Sequence, residues 1–146
     1  MHAAAKLNPG PYFDMFLIGL CDTSNSVARE AVLALSKMPN SIGGQRLWET
    51  YQKCSHLHGK RWALFLIARI NKWDSINFLI QSLIIPSDCS VDRSRSYIAR
   101  WFARYNRSFA TPTPEQLSRL RNTLSQCSLL LDAETQWQME SLLKGF

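Results

Sequence analysis

Acidic residues are scarce in this chain, and so are the short motifs that mark most catalytic and cofactor sites. Eleven Asp and Glu stand against seventeen Lys and Arg in 146 residues, a formal net charge of +6. No Gly-rich phosphate loop, HExxH, GxSxG or CxxC is present. Nucleotide cradles, zincin sites, hydrolase elbows and dithiol centres therefore lack their usual residues, and the chain reads as non-enzymatic and without a cofactor. Long apolar runs are missing too. The longest uncharged one, Trp62 to Ala68, is far short of the roughly 20 residues a membrane helix needs. The N-terminus shows no charged, apolar, small-residue signal pattern. The expectation is a soluble, unsecreted, cytoplasmic protein with no membrane partner.

Cysteine is sparse as well. Cys21, Cys54, Cys89 and Cys127 lie 33, 35 and 38 residues apart. This is neither metal-ligand pairing nor the density of a disulfide scaffold, so all four are expected to be reduced core thiols, with a secreted disulfide protein as the minor alternative. Cys54, His56 and His58 are three potential zinc ligands, with His2 a distant fourth, but their spacing at a helix end reads better as a polar turn. Cys89 beside Asp88, and Cys54 near His56, resemble nucleophile and base neighbours only along the sequence. Spatial geometry, not adjacency, makes a catalytic dyad.

The chain does contain apolar helical pattern. Hydrophobic residues make up 46% and aromatics 11%, enough to bury the core of one domain. Residues 59 to 72 form the longest apolar-rich stretch and predict a central helix covered on both flanks. Tyr12, Phe13, Phe16, Leu17 and Leu20 recur at helical spacing and predict a first helix. A second carries Val27, Ala31, Ala34, Leu35 and Met38, and stops at Pro39. A third, from Ser41, points Leu47, Trp48 and Tyr51 inward. The stretch from 59 is the fourth. A fifth begins at Asp74 or Ser75 with Ile76, Leu79, Ile80, Leu83 and Ile84, and a sixth runs from about Ser90 to Asn106. Thr113 and Gln116 make a capping-box pattern with Pro114 at the first position of a seventh, and Asp132 caps an eighth.

The even-numbered segments align column by column: Ala31, Ala63, Ile98; Ala34, Leu66, Trp101; Leu35, Ile67, Phe102; Met38, Ile70, Tyr105. Helix pairs recurring every 32 to 41 residues are the pattern of a helical solenoid. Leu20-Cys21-Asp22 followed by Val27-Ala28-Arg29-Glu30-Ala31-Val32-Leu33-Ala34-Leu35 resembles the HEAT-like repeat family, and Asp88, Val91, Arg95, Ile98 and Ala99 resemble it more loosely. The resemblance implies an all-α fold, a right-handed α-solenoid or superhelix of about four antiparallel helix pairs. These would span approximately 11–39, 41–72, 74–107 and 113–146 in a single domain over 1–146. Armadillo-like arrays and a compact irregular bundle are the rival architectures.

The same alignment gives columns that point away from the core: Glu30, Trp62, Tyr97; Leu33, Phe65, Arg100; Lys37, Arg69, Arg104; and Asn40, Lys72, Arg107. In HEAT-like proteins the second helix of each pair lines the concave face. The resemblance therefore implies a groove with Trp62, Phe65 and Tyr97 as aromatic anchors and Arg69, Arg100, Arg104 and Arg107 as basic contacts. Residues 93 to 121 carry seven Arg against the single acid Glu115, so the positive excess is local. The function expected is a protein-binding or adaptor module that holds a protein or acidic peptide partner in this groove. Nucleic acid is the alternative partner, since Arg neutralises phosphate and aromatics stack on bases. A HEAT-like enzyme ranks third, because no catalytic motif of such enzymes matches here. The competing bland reading covers Trp62 and Phe65 with a further helix and leaves the basic column merely solvated. The residues before Gly10 make a poor polar cap, which raises an end-to-end dimer, or a piece of a longer array, as expectations.

Overall fold

The computed structural model describes residues 12–38, 43–84, 90–105 and 110–146, and all regular structure in them is helical. Among these residues eight helices follow in order: α1 Phe13–Leu20, α2 Asn25–Leu35, α3 Gly44–Lys53, α4 Leu57–Ile67, α5 Lys72–Gln81, α6 Ser90–Ala103, α7 Pro114–Cys127 and α8 Ala133–Leu143. None of them is long and apolar enough to cross a membrane.

Local chemistry accounts for the boundaries. The Thr113 hydroxyl accepts from the Gln116 amide while the Gln116 side chain accepts from the Thr113 amide, closing the expected capping box at α7. Asp132 caps α8 through the Thr135 amide, also as expected. The start of α5 differs from expectation. It begins at Lys72, because the Asn71 side chain accepts from the Trp73 amide and caps the helix one turn early. Asp74 and Ser75 thereby fall inside the first turn, and α4 ends at Ile67 instead of running to 72.

Packing follows alternate elements. α1 lies on α2, α3 on α4 and α5 on α6. The odd-numbered helices also touch in sequence, α1 to α3 to α5 to α7, as do the even-numbered α2, α4 and α6. α4 contacts α1, α2, α3, α5 and α6, which bears out its central position. It is not covered all round, however: Ala63, Leu64, Leu66 and Ile67 are buried, whereas Trp62 and Phe65 are half-buried. The most deeply enclosed helix is α5, whose residues Trp73 and Ser75 to Ile80 are all buried. Gly59 permits the close approach of α4 to α1. A Cβ there would sit 3.0 Å from the Leu20 carbonyl oxygen and 3.1 Å from the Cys54 sulfur.

The expectation of four reduced thiols is corrected. Cys21 and Cys54 form a disulfide, with Cα atoms 5.0 Å apart. Each is the residue that ends an odd-numbered helix, α1 and α3. α1 and α3 are in contact, so the residues at their C-terminal ends meet although they are far apart in sequence. Cys127 is free and buried, and burial pushes its thiol above the ordinary range. Cys89 lies outside the described residues.

Candidate functional site

A single stripe runs down the side of α4 and into the turn after it: His58, Trp62, Phe65 and Arg69, spaced so that all four share a face. A matching stripe on α6 carries Arg93, Tyr97, Arg100 and Arg104, again at intervals of four, three and four. The two helices are in contact, and the groove between them is about 16 Å long, from the 1.5 Å rise per residue.

Two pockets occupy this groove. The larger, about 300 Å³, is lined by Ala68, Arg69, Lys72, Ser75, Leu79, Tyr97, Arg100, Trp101, Arg104 and Tyr105. It sits where the end of α4, the start of α5 and the second half of α6 converge. Among the described residues four cations and three aromatic rings line it, with no acid. The smaller, about 190 Å³, is lined by Asn25, His58, Arg61, Trp62, Phe65 and Arg93.

Side-chain contacts set the shape of both. The Arg69 guanidinium lies 3.5 Å from the centre of the Phe65 ring and donates to the Phe65 carbonyl oxygen, forming the partition between the pockets. Trp62 meets Phe65 edge-on and donates its indole N–H to Asn25 Oδ1. A ring nitrogen of His58 lies 2.8 Å from the Asp22 carbonyl oxygen, which docks α4 on the turn before α2. In the larger pocket the Trp101 indole donates to the Lys72 carbonyl oxygen at 2.7 Å, locking α6 against the start of α5. The Lys72 ammonium lies over the Tyr105 ring at 4.4 Å, and desolvation by burial lowers its pKa from the ordinary value.

Of the residues expected from the sequence, Arg69, Tyr97, Arg100 and Arg104 share the larger pocket, while Trp62 and Phe65 belong to the smaller one beside it. Arg107 lies outside the described residues. Lys72, Ser75, Trp101 and Tyr105 were not expected there, nor Arg61 and Arg93 in the smaller pocket. Trp101 and Tyr105 fell in the inward-facing columns. They do pack on the core, but the pocket is a gap at the core's edge, so they line it as well. Lys72 was in an outward column and could have been found there.

The zinc trio dissolves for a covalent reason. Cys54 is bonded to Cys21, and His58 is engaged with Asp22. Among the described residues no group of three His, Cys, Asp or Glu side chains is placed to hold a metal.

Comparison with protein-family models, with curated proteins and with solved structures finds no match to this chain.

Proposed function

We propose that this chain is a non-catalytic binding module of HEAT-like design that holds an acidic protein or peptide segment in the groove between α4 and α6. One observation carries the proposal: Arg69, Lys72, Arg100 and Arg104 converge with Tyr97, Trp101 and Tyr105 on one pocket that no acid lines among the described residues. Guanidinium groups bind and orient anions but do not exchange protons near neutral pH, so the cluster suits recognition better than acid–base chemistry. A groove of about 16 Å matches about five residues of extended chain at roughly 3.3 Å each. The stacking of α1, α3, α5 and α7 in succession, and of α2, α4 and α6, supports the repeat design. So does a disulfide between equivalent helix ends. That disulfide also supports an oxidising compartment in place of the cytoplasm expected from the sequence.

Nucleic acid remains the second reading, favoured by the two further arginines, Arg61 and Arg93, along the same groove. The deciding experiment measures fluorescence anisotropy of labelled acidic peptide pools and of mixed single-stranded RNA, with the native chain and an Arg100→Glu, Arg104→Glu double variant. Peptide binding should fall at least about tenfold in the variant, since two charge-assisted contacts become repulsive. Peptide affinity unchanged by the double substitution overturns the groove. RNA retention that dominates, and weakens steeply with salt, transfers it to nucleic acid.

A further inference from the structure

Five polar side chains are fully buried among the described residues: Ser75, Asn77, Ser82, Ser94 and Thr123. Four of them satisfy one another. Ser82 donates to the Leu79 carbonyl oxygen and shares a 2.6 Å hydrogen bond with Ser94, and Thr123 donates to Asn77 Oδ1 at 2.6 Å. Ser75 is the exception. It is 1% exposed, and its hydroxyl has no partner among the described residues. The Tyr105 hydroxyl is likewise buried without a partner among them. Both residues line the larger pocket of the groove. Buried hydroxyls are almost always paired, and two orphans on one lining mark a place where a ligand supplies the missing partner.

The chemistry of that partner follows from what surrounds it. Arg69, Lys72, Arg100 and Arg104 can only donate, the two buried hydroxyls have no partner among the described residues, and the positive end of the α5 macrodipole lies at the same wall. The complement is an oxyanion rich in acceptors. A carboxylate brings one charge and two coplanar oxygens, which leaves most of these donors unmatched. A phosphate monoester brings nearly two charges and three terminal oxygens. At about 300 Å³ the cavity is at the small end of ligand pockets and holds a single side chain, not a length of polymer backbone. Tyr97, Trp101 and Tyr105 would flank the stem that carries the phosphate.

We propose that the pocket between α4, α5 and α6 binds the phosphoryl group of a phosphorylated side chain, with Ser75 and Tyr105 donating to its oxygens and the three arginines neutralising it. This rests on the groove being a peptide site and names the residue that the peptide must carry.

The test uses the full chain and three labelled pools of degenerate nonapeptides. Their central residue is phosphorylated Ser, Thr or Tyr in the first, Glu in the second and unmodified Ser in the third. The phosphorylated pool should bind about tenfold more tightly than the Glu pool, from the stronger multi-donor contact. Ser75→Ala and Tyr105→Phe each remove a single oxygen. Each should shrink that ratio at least threefold, once a thermal melt shows the variants folded. Equal binding of the phosphorylated and Glu pools, both lost in Arg100→Glu, overturns the phosphoryl assignment and leaves the acidic groove standing. Absence of binding by every peptide pool overturns both. Mixed single-stranded RNA binding more tightly than the phosphorylated pool, unaffected by Ser75→Ala, also overturns it.

Discussion

Cys21 and Cys54 are covalently joined across the ends of α1 and α3, 33 positions apart in sequence. The bridge closes a loop that contains all of α2 and α3, so it restricts the unfolded chain far more than it adjusts the folded one. On the chain-entropy relation a loop of this length contributes about 3–4 kcal/mol. Thermal melts with and without dithiothreitol should therefore differ by about 10 °C, and a Cys54→Ala variant should melt with the reduced protein. A non-reducing digest should yield the peptides around Cys21 and Cys54 as one species. Identical melts, with the two peptides recovered separately, would show that the bridge does not form.

Thr123 of α7 holds a second long-range tie. Its hydroxyl donates to Asn77 Oδ1 and accepts from the Gln81 amide, so three polar groups of α5 and α7 depend on one oxygen. Thr123→Val keeps the volume and removes that oxygen. It strands the Asn77 carbonyl in the interior, at a cost of about 2 kcal/mol. Urea denaturation should show the loss as a lower midpoint at an unchanged slope. An unaltered midpoint would mean that Asn77 finds another partner.

The helices, two of their caps and half of the groove could be read from the sequence because each depends on residues close together in the chain. Thr113 with Gln116, and Asp132 with Thr135, are separated by three positions, and the stripe Trp62, Phe65, Arg69 is a matter of helical period. What escaped depends on how separate elements stack. The Cys21–Cys54 spacing matches no short-range pairing pattern, and it is the packing of α1 on α3 that brings the two together. Ser75 read as a helix start because Ser caps helices so often. The Asn71 cap, set by a bond to Trp73, moved the start of α5 and turned Ser75 toward the pocket instead.

Asp132 gives the fold an acid-dependent term. Its carboxylate accepts from the Thr135 amide at 2.7 Å and from the Thr135 hydroxyl at 3.0 Å, and these bonds hold its pKa below the ordinary 3.8. A carboxyl whose pKa is depressed in the folded state stabilises fully above its unfolded value and loses that contribution as pH falls through the folded one. The side chain is largely exposed, so solvent screening keeps the electrostatic share small. Asp132→Asn should retain the cap near neutral pH but flatten the stability profile below about pH 4. Asp132→Ala should cost about 1 kcal/mol at neutral pH. Chemical denaturation across the acid range measures both, and parallel native and Asn profiles would remove Asp132 as the source of the slope.

Ser75→Ala separates the demands of folding from those of binding. In the unliganded protein the Ser75 hydroxyl is desolvated without a partner, a state that costs about 1–3 kcal/mol. Alanine deletes that cost, loses almost no packing and favours the helix in which it sits. The variant should therefore gain about 1 kcal/mol, seen as a melting point raised by about 2–4 °C. The same variant should bind phosphorylated peptides less well than the native chain. A site that gives up stability to keep a donor ready produces these two effects in opposite directions, whereas a hydroxyl with only a packing role would move neither upward. A lower melting point for Ser75→Ala would mean that the hydroxyl is already satisfied in the free protein, and the case for a waiting donor would fail with it.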